Sequence, residues 1–331
     1  MSPQMSAKVS PNTSPAMTPG GPRIAIMTDE TGWHTSRLKR ALRERGAQGR
    51  CIDLADCRFD TTWAAHGLAI PGFGRGLPDA VIVRGIAGGS FEQVTVRLGI
   101  LHALRELGVP VYNDARAIER SVDKSMTSFL LHRAGIPTPP AWAGESVPHA
   151  RRIVMREAAA GREVVLKPLF GSQGKGLVRL GGDESGCAAL PALRAYGGLA
   201  YLQRFVPPVS TPGFDWRVLV VGGKAVTAMR RVSEHWVHNV AQGGRCEAQP
   251  LTPELAQLAE RASAALGLDY AGIDLVPCGG TDAGAQVIEV NGVAAWRGLQ
   301  SVTSFDIAGC IVDDLLTRRL GRTAAPREAV A

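Results

Sequence analysis

Val164-Val-Leu-Lys-Pro-Leu-Phe-Gly-Ser-Gln-Gly-Lys-Gly-Leu-Val178 reads as a strand, a glycine turn and a returning strand. The apolar run ends at Lys167, and a lone ammonium at the end of a buried strand is costly unless an anion neutralises it. Gly171, Gly174 and Gly176, with Ser172 between them, permit backbone conformations that let several amide N–H groups close over phosphate oxygens. A Walker A loop requires GxxxxGK[ST] before a helix, and a dinucleotide fingerprint requires GxGxxG opening one. Neither condition holds. Two readings stay open: a hairpin that covers phosphate, and a flexible hairpin with an exposed Lys175.

Downstream, Ala271-Gly-Ile-Asp-Leu-Val276 is followed by Gln286-Val-Ile-Glu-Val-Asn291. Period-2 geometry puts Glu289 and Asn291 on one face of their strand, and Asp274 on a neighbouring strand adds a third oxygen donor. Hard oxygen ligands of this kind suit Mg2+ bound jointly with substrate phosphates. The alternative is a half-exposed strand with solvated polar residues, although the apolar neighbours of Asp274 speak against it there. Tyr201-Leu-Gln-Arg-Phe-Val-Pro-Pro208 is an apolar strand running into a proline-marked hinge, whose backbone can meet an adenine edge while Leu202 and Phe205 flank the ring. Arg217, in Asp215-Trp-Arg217, and Arg231, in Met229-Arg-Arg-Val232, add planar donor forks suited to polyphosphate or carboxylate. Of the seven histidines, five are dispersed; His235 and His238 are spaced for a metal pair but lack a nearby cysteine or third histidine, which favours a nucleotide- or substrate-lining loop over zinc.

Upstream, residues 23–28, 79–84 and 109–112 read as strands, and residues 33–45 and 91–107 as helices, an alternation that argues for a small, mostly parallel α/β lobe. Residues 60–76 are expected to be a loop. A helix is expected over 121–134, stopped by Gly135 and by prolines at 137, 139 and 140, and another over 151–161. Strands are expected at 163–166, 177–180, 199–205, 217–221, 225–230, 273–276 and 286–290. A helix between them is opened by Thr252 as cap with Pro253 at its first position.

The chain of 331 residues and 35.0 kDa suggests two domains or three small lobes. With 45% hydrophobic and 20% charged residues it is globular, not disordered throughout. No apolar run approaches the roughly 20 residues that cross a bilayer, so no membrane is expected as partner. Residues 1–22, rich in Ser, Pro, Thr and Met and without a secretory apolar segment, read as a disordered tail. Six cysteines (Cys51, Cys57, Cys187, Cys246, Cys278, Cys310) form no CxxC pair, which fits a reduced, cytoplasmic protein. A formal net charge of +7 favours anionic partners.

Taken in order, these segments resemble the ATP-grasp superfamily, and within it the RimK-like amino-acid ligases that join L-glutamate to a carboxylate. The resemblance rests on Ser121-Val-Asp-Lys124, Gly135-Ile-Pro137, Val165-Leu-Lys-Pro168 with its glycine loop, Tyr201-Leu-Gln-Arg-Phe205 and Asp215-Trp-Arg-Val-Leu-Val-Val-Gly222. It continues through Asn239 with Gly243-Gly244, Leu266-Gly-Leu268, Ala271-Gly-Ile-Asp274, Glu289-Val-Asn291 and Asp306-Ile-Ala-Gly309. It implies an α/β (α+β) ATP-grasp fold behind an N-terminal Rossmann-like pre-ATP-grasp lobe. The expected divisions are a lobe over 23–113, a small lid subdomain over 114–205, a C-terminal Mg/ATP subdomain over 206–320, and flexible tails at 1–22 and 321–331.

By the same resemblance, Lys124 and Lys167 contact ATP phosphates. Residues 171–176 form the phosphate lid, and the backbone of Gln203, Arg204, Phe205 and Val206 grips adenine. Asp215 lies near the ribose and Asn239 near the phosphates; Asp274, Glu289 and Asn291 hold Mg2+, or Mn2+ in its place, as two ions. Arg217 and Arg231 are the expected catalytic guanidiniums. A carboxylate attacks the γ-phosphate, and an amine displaces phosphate from the acyl phosphate, so positioning and charge stabilisation suffice and no triad is needed. Three departures stand out: Arg204 replaces a usual Glu; Val237 replaces an Arg, with Arg231 as candidate substitute; Gly292-Val-Ala-Ala-Trp296 replaces a Ser-Pro-Gly turn on the acceptor side.

The expected activity is therefore ATP-dependent addition of L-glutamate to a coenzyme of the pterin or furan C1-carrier type, or to a protein C-terminus, by a homo-oligomer. The competing readings are a dipeptide ligase of another ATP-grasp branch and a silent nucleotide- or RNA-binding regulator. Nucleic acid is disfavoured, because no basic patch is interleaved with aromatics.

Overall fold

The apolar runs at residues 24–27 and 80–83 are wholly buried, as parallel strands covered on both faces must be. The computed structural model describes residues 21–63, 65–181, 190–279 and 284–322. Its first elements are β1 (Arg23–Met27), α1 (Trp33–Glu44), β2 (Gln48–Ile52), β3 (Arg58–Phe59), β4 (Leu68–Ala69), β5 (Ala80–Val83), α2 (Phe91–Glu106) and β6 (Val111–Tyr112). There follow α3 (Ala115–Val122), α4 (Lys124–Arg133), β7 (Ala141–Gly144), α5 (Val147–Ala159), β8 (Val164–Lys167), β9 (Val178–Leu180) and β10 (Ala200–Arg204). The rest is β11 (Gly213–Val221), β12 (Lys224–Ser233), β13 (Arg245–Gln249), α6 (Pro253–Leu266), β14 (Tyr270–Cys278), β15 (Gly284–Asn291), α7 (Arg297–Gln300) and α8 (Ile307–Asp314).

Three sheets organise these elements. The first, in the order β2-β1-β5-β6, is parallel throughout. Leu38 and Leu42 of α1 pack on Ile24 and Ile26, while Ile100, Leu101 and Leu104 of α2 pack on Ala25 and Met27 from the opposite face. The second sheet, β7-β10-β8-β9, is antiparallel and rests on Ala150, Ile153 and Val154 of α5. The third, β13-β12-β11-β14-β15, is also antiparallel.

The third sheet shows how alternation places a site. Val218 and Val220 face α6, where Leu255, Leu258, Ala259, Ala262 and Leu266 cover them; burying each large aliphatic side chain contributes about 1.5–3 kcal/mol. On the other face, Leu219 and Val221 pack with Ile311, Val312 and Leu315 from the chain's C-terminal part, which also covers the first lobe's core. Asp215 and Arg217 continue that second face at the opposite end of β11, so the same strand that anchors the core lifts two charges into a cleft. The first lobe is fastened there by Asn113, wholly buried, whose amide donates to Tyr270 O (2.7 Å) and Gly292 O (2.6 Å) and accepts from Asp269 N (2.5 Å) and Tyr270 N (3.0 Å).

Several expectations are corrected. The helix expected over 121–134 is two helices, because Asp123 adopts an extended backbone and its carboxylate caps α4 by accepting from Ser125 N and Met126 N. The 60–76 loop contains β4, paired with β3. The helix expected at 151–161 begins at Val147, capped by Ser146. Strands β2 and β13 escaped notice because both are sheet edges with polar sequences, QGRCI and RCEAQ. Residues 1–20 and 323–331 of the two expected tails, and Cys187, lie outside the described residues. Among the described residues, no helix is long and apolar enough to cross a membrane.

Candidate functional site

The second and third sheets enclose a cleft of about 940 Å3, counting the part open to solvent. Of the residues singled out in the sequence, Lys124, Lys167, Gly171, Ser172, Gly174, Gln203, Arg204, Phe205, Val206, Asp215, Arg231, Asn239, Asp274 and Glu289 all line it. Gly176, Arg217 and Asn291 adjoin it without lining it.

The roof is the glycine loop between β8 and β9. Gln173, Gly174 and Gly176 all have left-handed backbones, with φ of 62°, 71° and 70°. A Cβ on Gly174 would come within 2.7 Å of Val237 Cγ1 and 2.8 Å of Asn239 Oδ1, so both conformation and close approach require glycine. The loop is tied down by Gln242 Nε2 donating to Gln173 O (3.1 Å) and by Tyr196 Oη donating to Gly176 O (3.1 Å). Lys124, the first residue of α4, donates from Nζ to Gly171 O (2.7 Å) and Leu169 O (3.3 Å) and stands 3.7 Å from Glu289.

Lys167, at the end of β8, donates from Nζ to Gln203 Oε1 at 2.6 Å. Burial pushes its ammonium down to about 8; Lys124 acts in the same direction, and Glu289 opposes it. This is the cost anticipated for a strand-end ammonium that awaits an anion.

The hinge follows β10. The amides of Arg204 and Phe205 donate to Pro140 O (2.8 Å) and Glu163 O (2.9 Å), whereas Val206 N–H has no backbone partner among the described residues. The Arg204 side chain turns away from the cleft to Glu157 (2.9 Å), a buried carboxylate that also takes Arg162 (2.7 Å). Hydrogen bonds from Arg162 hold Glu157 down at about 2 against the upward push of burial, with Arg204 reinforcing them. The departure at 204 therefore has a structural partner. Phe205 is flanked by Arg179, 4.2 Å above its ring, and by Trp236, edge-on at 5.9 Å.

The floor is a ladder of alternating charges across β12, β11 and β14. Register sets Asp215 opposite Arg231, and Arg217 opposite Asp274. Arg231 grips Asp215 with Nε and Nη2, both at 2.7 Å, and reaches Asp274 at 3.0 Å. Arg217 grips Asp274 with Nε and Nη2, both at 2.6 Å. Burial pushes the Asp215 carboxyl up, and Arg231 offsets only part of that. Burial likewise presses upward on Asp274, but Arg217 and Arg231 outweigh it and hold the carboxyl below its ordinary range.

Asp274 and Glu289 are register partners, and Asn291 faces Gly272, to whose carbonyl its Nδ2 donates at 3.3 Å, leaving Oδ1 without a partner among the described residues. These three positions present only hard oxygen donors at adjoining places, a set that fits Mg2+ once Asp274 shares its oxygens with an ion. Among the described residues no cluster of three His, Cys, Asp or Glu forms a metal site, so any ion needs the Asn oxygen, water or substrate phosphate as well.

Arg231, proposed from the sequence as a substitute for the missing Arg at 237, is nearly fully buried in the ladder, with its Nε and Nη2 committed to Asp215 and Asp274. Val237 lies against the glycine loop. His238 lines the cleft with Nε2 buried and unpartnered, and burial, helped by Arg231, pushes its ring down to about 4; His235 does not line it. Sequence reasoning missed Trp236, Val276 and Ile288 as cleft walls, since nothing distinguishes them from core residues until the strands are paired.

Residues 23–118 match the RimK PreATP-grasp domain, and residues 121–315 the RimK-like ATP-grasp domain. The chain is 33% identical over 299 residues to a tetrahydromethanopterin:alpha-L-glutamate ligase of Methanococcus maripaludis, covering 89% of this chain and 98% of that one. It is 30% identical to a probable alpha-L-glutamate ligase of Hahella chejuensis, covering 89% and 95%. In fold it is similar to the ATP-grasp ligase PsnB complexed with a phosphomimetic variant of its minimal precursor, Mg and ADP, with TM-score 0.69, 22% identity and coverage of 90% and 98%.

Proposed function

We propose that this chain, which belongs to the RimK-like ATP-grasp family, joins the amine of L-glutamate to a carboxylate of a pterin-type coenzyme. The family makes it an ADP-forming carbon–nitrogen ligase. One observation carries the reading of the site: Lys124, Lys167, Glu289 and the glycine loop converge at one end of the cleft, beside the Arg217–Asp274 pair. A polyphosphate there meets two ammonium groups beneath the backbone of the glycine loop.

The chemistry needs little beyond placement. An acceptor carboxylate oxygen attacks the γ-phosphorus, the bond to the β–γ bridging oxygen breaks, and ADP leaves. The glutamate amine then attacks the acyl carbon, inorganic phosphate departs, and the nitrogen loses a proton as the amide forms. Lys124 and Lys167 draw off the charge that builds on the phosphoryl oxygens. Asp274, Glu289 and Asn291 would hold Mg2+, with Mn2+ as substitute and two ions as the full complement; the ion supplies further neutralisation of phosphate charge. Residues 114–205 act as the lid-bearing subdomain and residues 206–320 as the Mg/ATP subdomain. The curated relatives named for tetrahydromethanopterin favour a pterin acceptor over a protein C-terminus.

Incubation with MgATP, L-glutamate and a reduced pterin acceptor is expected to release ADP and give a product heavier by glutamyl residues. Lys167→Ala and Glu289→Ala should each lower kcat/KM by about 10^2–10^3-fold. MgATP binding with no ADP and no product from any glutamate–acceptor mixture would sink the reading.

A further inference from the structure

We infer that the far side of the 294–296 segment, facing the N-terminal lobe, carries a second anion site. It is formed by Arg84, Arg297 and His34 and holds a non-reacting carboxylate of one of the two organic substrates. The inference rests on the ligase reading above.

Three successive residues of the Gly292-Val-Ala-Ala-Trp296 turn are each contacted by a different side chain from elsewhere in the chain. Ala294 O accepts from Arg84 Nη1 (2.7 Å), Ala295 O lies 3.5 Å from Arg217 Nη1, and Trp296 N donates to His34 Nε2 (3.0 Å). Arg217 belongs to the nucleotide side; Arg84 and His34 come from the first lobe. Neighbouring residues of one turn are thus contacted from both sides, so only the thickness of the turn lies between them. That spacing lets one dicarboxylate place its reacting group at the γ-phosphate and its other group beyond the turn.

Arg84 has the free geometry for that group. Its Nη1 also donates to Tyr270 Oη (2.9 Å), but its Nε is buried without a partner and its Nη2 makes no bond among the described residues. The Nε/Nη2 edge is the one with which Arg45, Arg217 and Arg231 each grip an aspartate in this molecule. An arginine fork matches a carboxylate bidentately, and a buried donor edge left open calls for a partner. Arg297 is exposed and has no acidic partner among the described residues. His34 accepts from an amide at Nε2, which puts its proton on Nδ1; burial and the two arginine charges keep it neutral, so it adds a donor.

The topology points to the same place. Arg84 directly follows β5, and Thr28 directly follows β1; these adjacent strands mark where the order β2-β1-β5-β6 reverses direction. Ligands of open parallel sheets bind beyond the carboxyl ends of strands at such a reversal.

The test is direct binding to the full chain saturated with Mg2+ and a non-hydrolysable ATP analogue, with L-glutamate and pteroyl-L-glutamate as probes. Arg84→Lys and Arg297→Gln are expected to weaken the same probe about tenfold each, and Arg297→Lys to recover most of the loss. In turnover, the KM of the matching substrate should rise in step while kcat and analogue affinity stay within about twofold. Loss for L-glutamate alone assigns the site to the amino acid, and loss for pteroyl-L-glutamate alone assigns it to the acceptor. Because Arg84 also joins the lobes, Arg297→Gln, on an exposed side chain, carries the test should Arg84→Lys not fold. The inference is overturned if neither probe binds the unaltered protein, or if both affinities survive in every folded variant. Glutamylation with unchanged KM values would remove the anion site and leave the ligase; probe loss in a protein that glutamylates nothing would do the reverse.

Discussion

The two sides of the 294–296 turn hold arginines in opposite states. On the nucleotide side, Arg217 and Arg231 are clamped to Asp274 and Asp215, and the four charges neutralise one another before any substrate arrives. On the lobe side, Arg84 and Arg297 have no acidic partner among the described residues, and Arg84 keeps a buried Nε unpartnered. The first arrangement is preorganised by strand register and sets a rigid floor for a ligand whose own charge is met from above by lysines. The second is incomplete without a ligand. Charge that belongs to the scaffold is paired within the scaffold; charge that belongs to recognition is left open.

The largest effect should come from breaking the paired side. Arg231→Met removes the common partner of Asp215 and Asp274, both buried, and leaves Asp215 with no guanidinium bonded to it and only the more distant charge of Arg217. Unfolding in urea is expected to show a loss of about 3–5 kcal/mol, the usual cost of orphaning a buried carboxylate. A variant as stable as the parent would mean that Asp215 is protonated or relieved by movement, and that the ladder is not the rigid floor described above.

The matched substitution on the open side should cost less, which sharpens the contrast. Arg84→Met deletes hydrogen bonds to Ala294 O and Tyr270 Oη, but it also removes an edge that was already unsatisfied, so the expected loss is about 1–2 kcal/mol. Tyr270 Oη keeps its bond to Val83 O (3.0 Å) in the variant. Equal losses for the two methionine variants would erase the distinction between the sides.

The same contrast explains what could be read from the sequence. Lys167, Asp274 and Glu289 stood out because each places a charge within an apolar run, where only a ligand or a counter-charge can justify it, and the strands around them have plain periodicity. The continuous hydrophobic pattern over 121–134 hides a helix boundary, because Asp123 interrupts it by capping, a local event that hydrophobic spacing does not register. Asp274 is legible in the sequence as a candidate metal ligand, but its grip by Arg217 follows from the register of β11 on β14, and register is a property of paired strands. Arg84 and His34 were beyond reach for a stronger reason: their partners lie 210 and 262 residues away along the chain, in a turn whose composition is almost featureless.

The smallest effect concerns proton uptake at Lys167. Its folded value, near 8, lies below the ordinary 10.5 because burial disfavours the ammonium. A polyphosphate in the cleft favours the charged form, so below about pH 8 the lysine is ready and nucleotide affinity should be flat. Above it, binding must draw a proton from solvent, and affinity should fall by up to tenfold for each pH unit until the lysine's pKa in the nucleotide-bound protein is reached. Stability runs the other way in that window: between about 8 and 10.5 the unfolded chain binds more protons at this residue, so the lysine's destabilising contribution fades as pH rises. Affinity for a non-hydrolysable ATP analogue, titrated from pH 7 to 9.5, should therefore bend near 8 in the parent. In Lys167→Gln it should be weaker and flat across the same range. A bend that persists in the glutamine variant would move the titration to another group and leave Lys167 paired as permanently as Arg217, which would weaken the case that the nucleotide end of the cleft holds one charge in reserve.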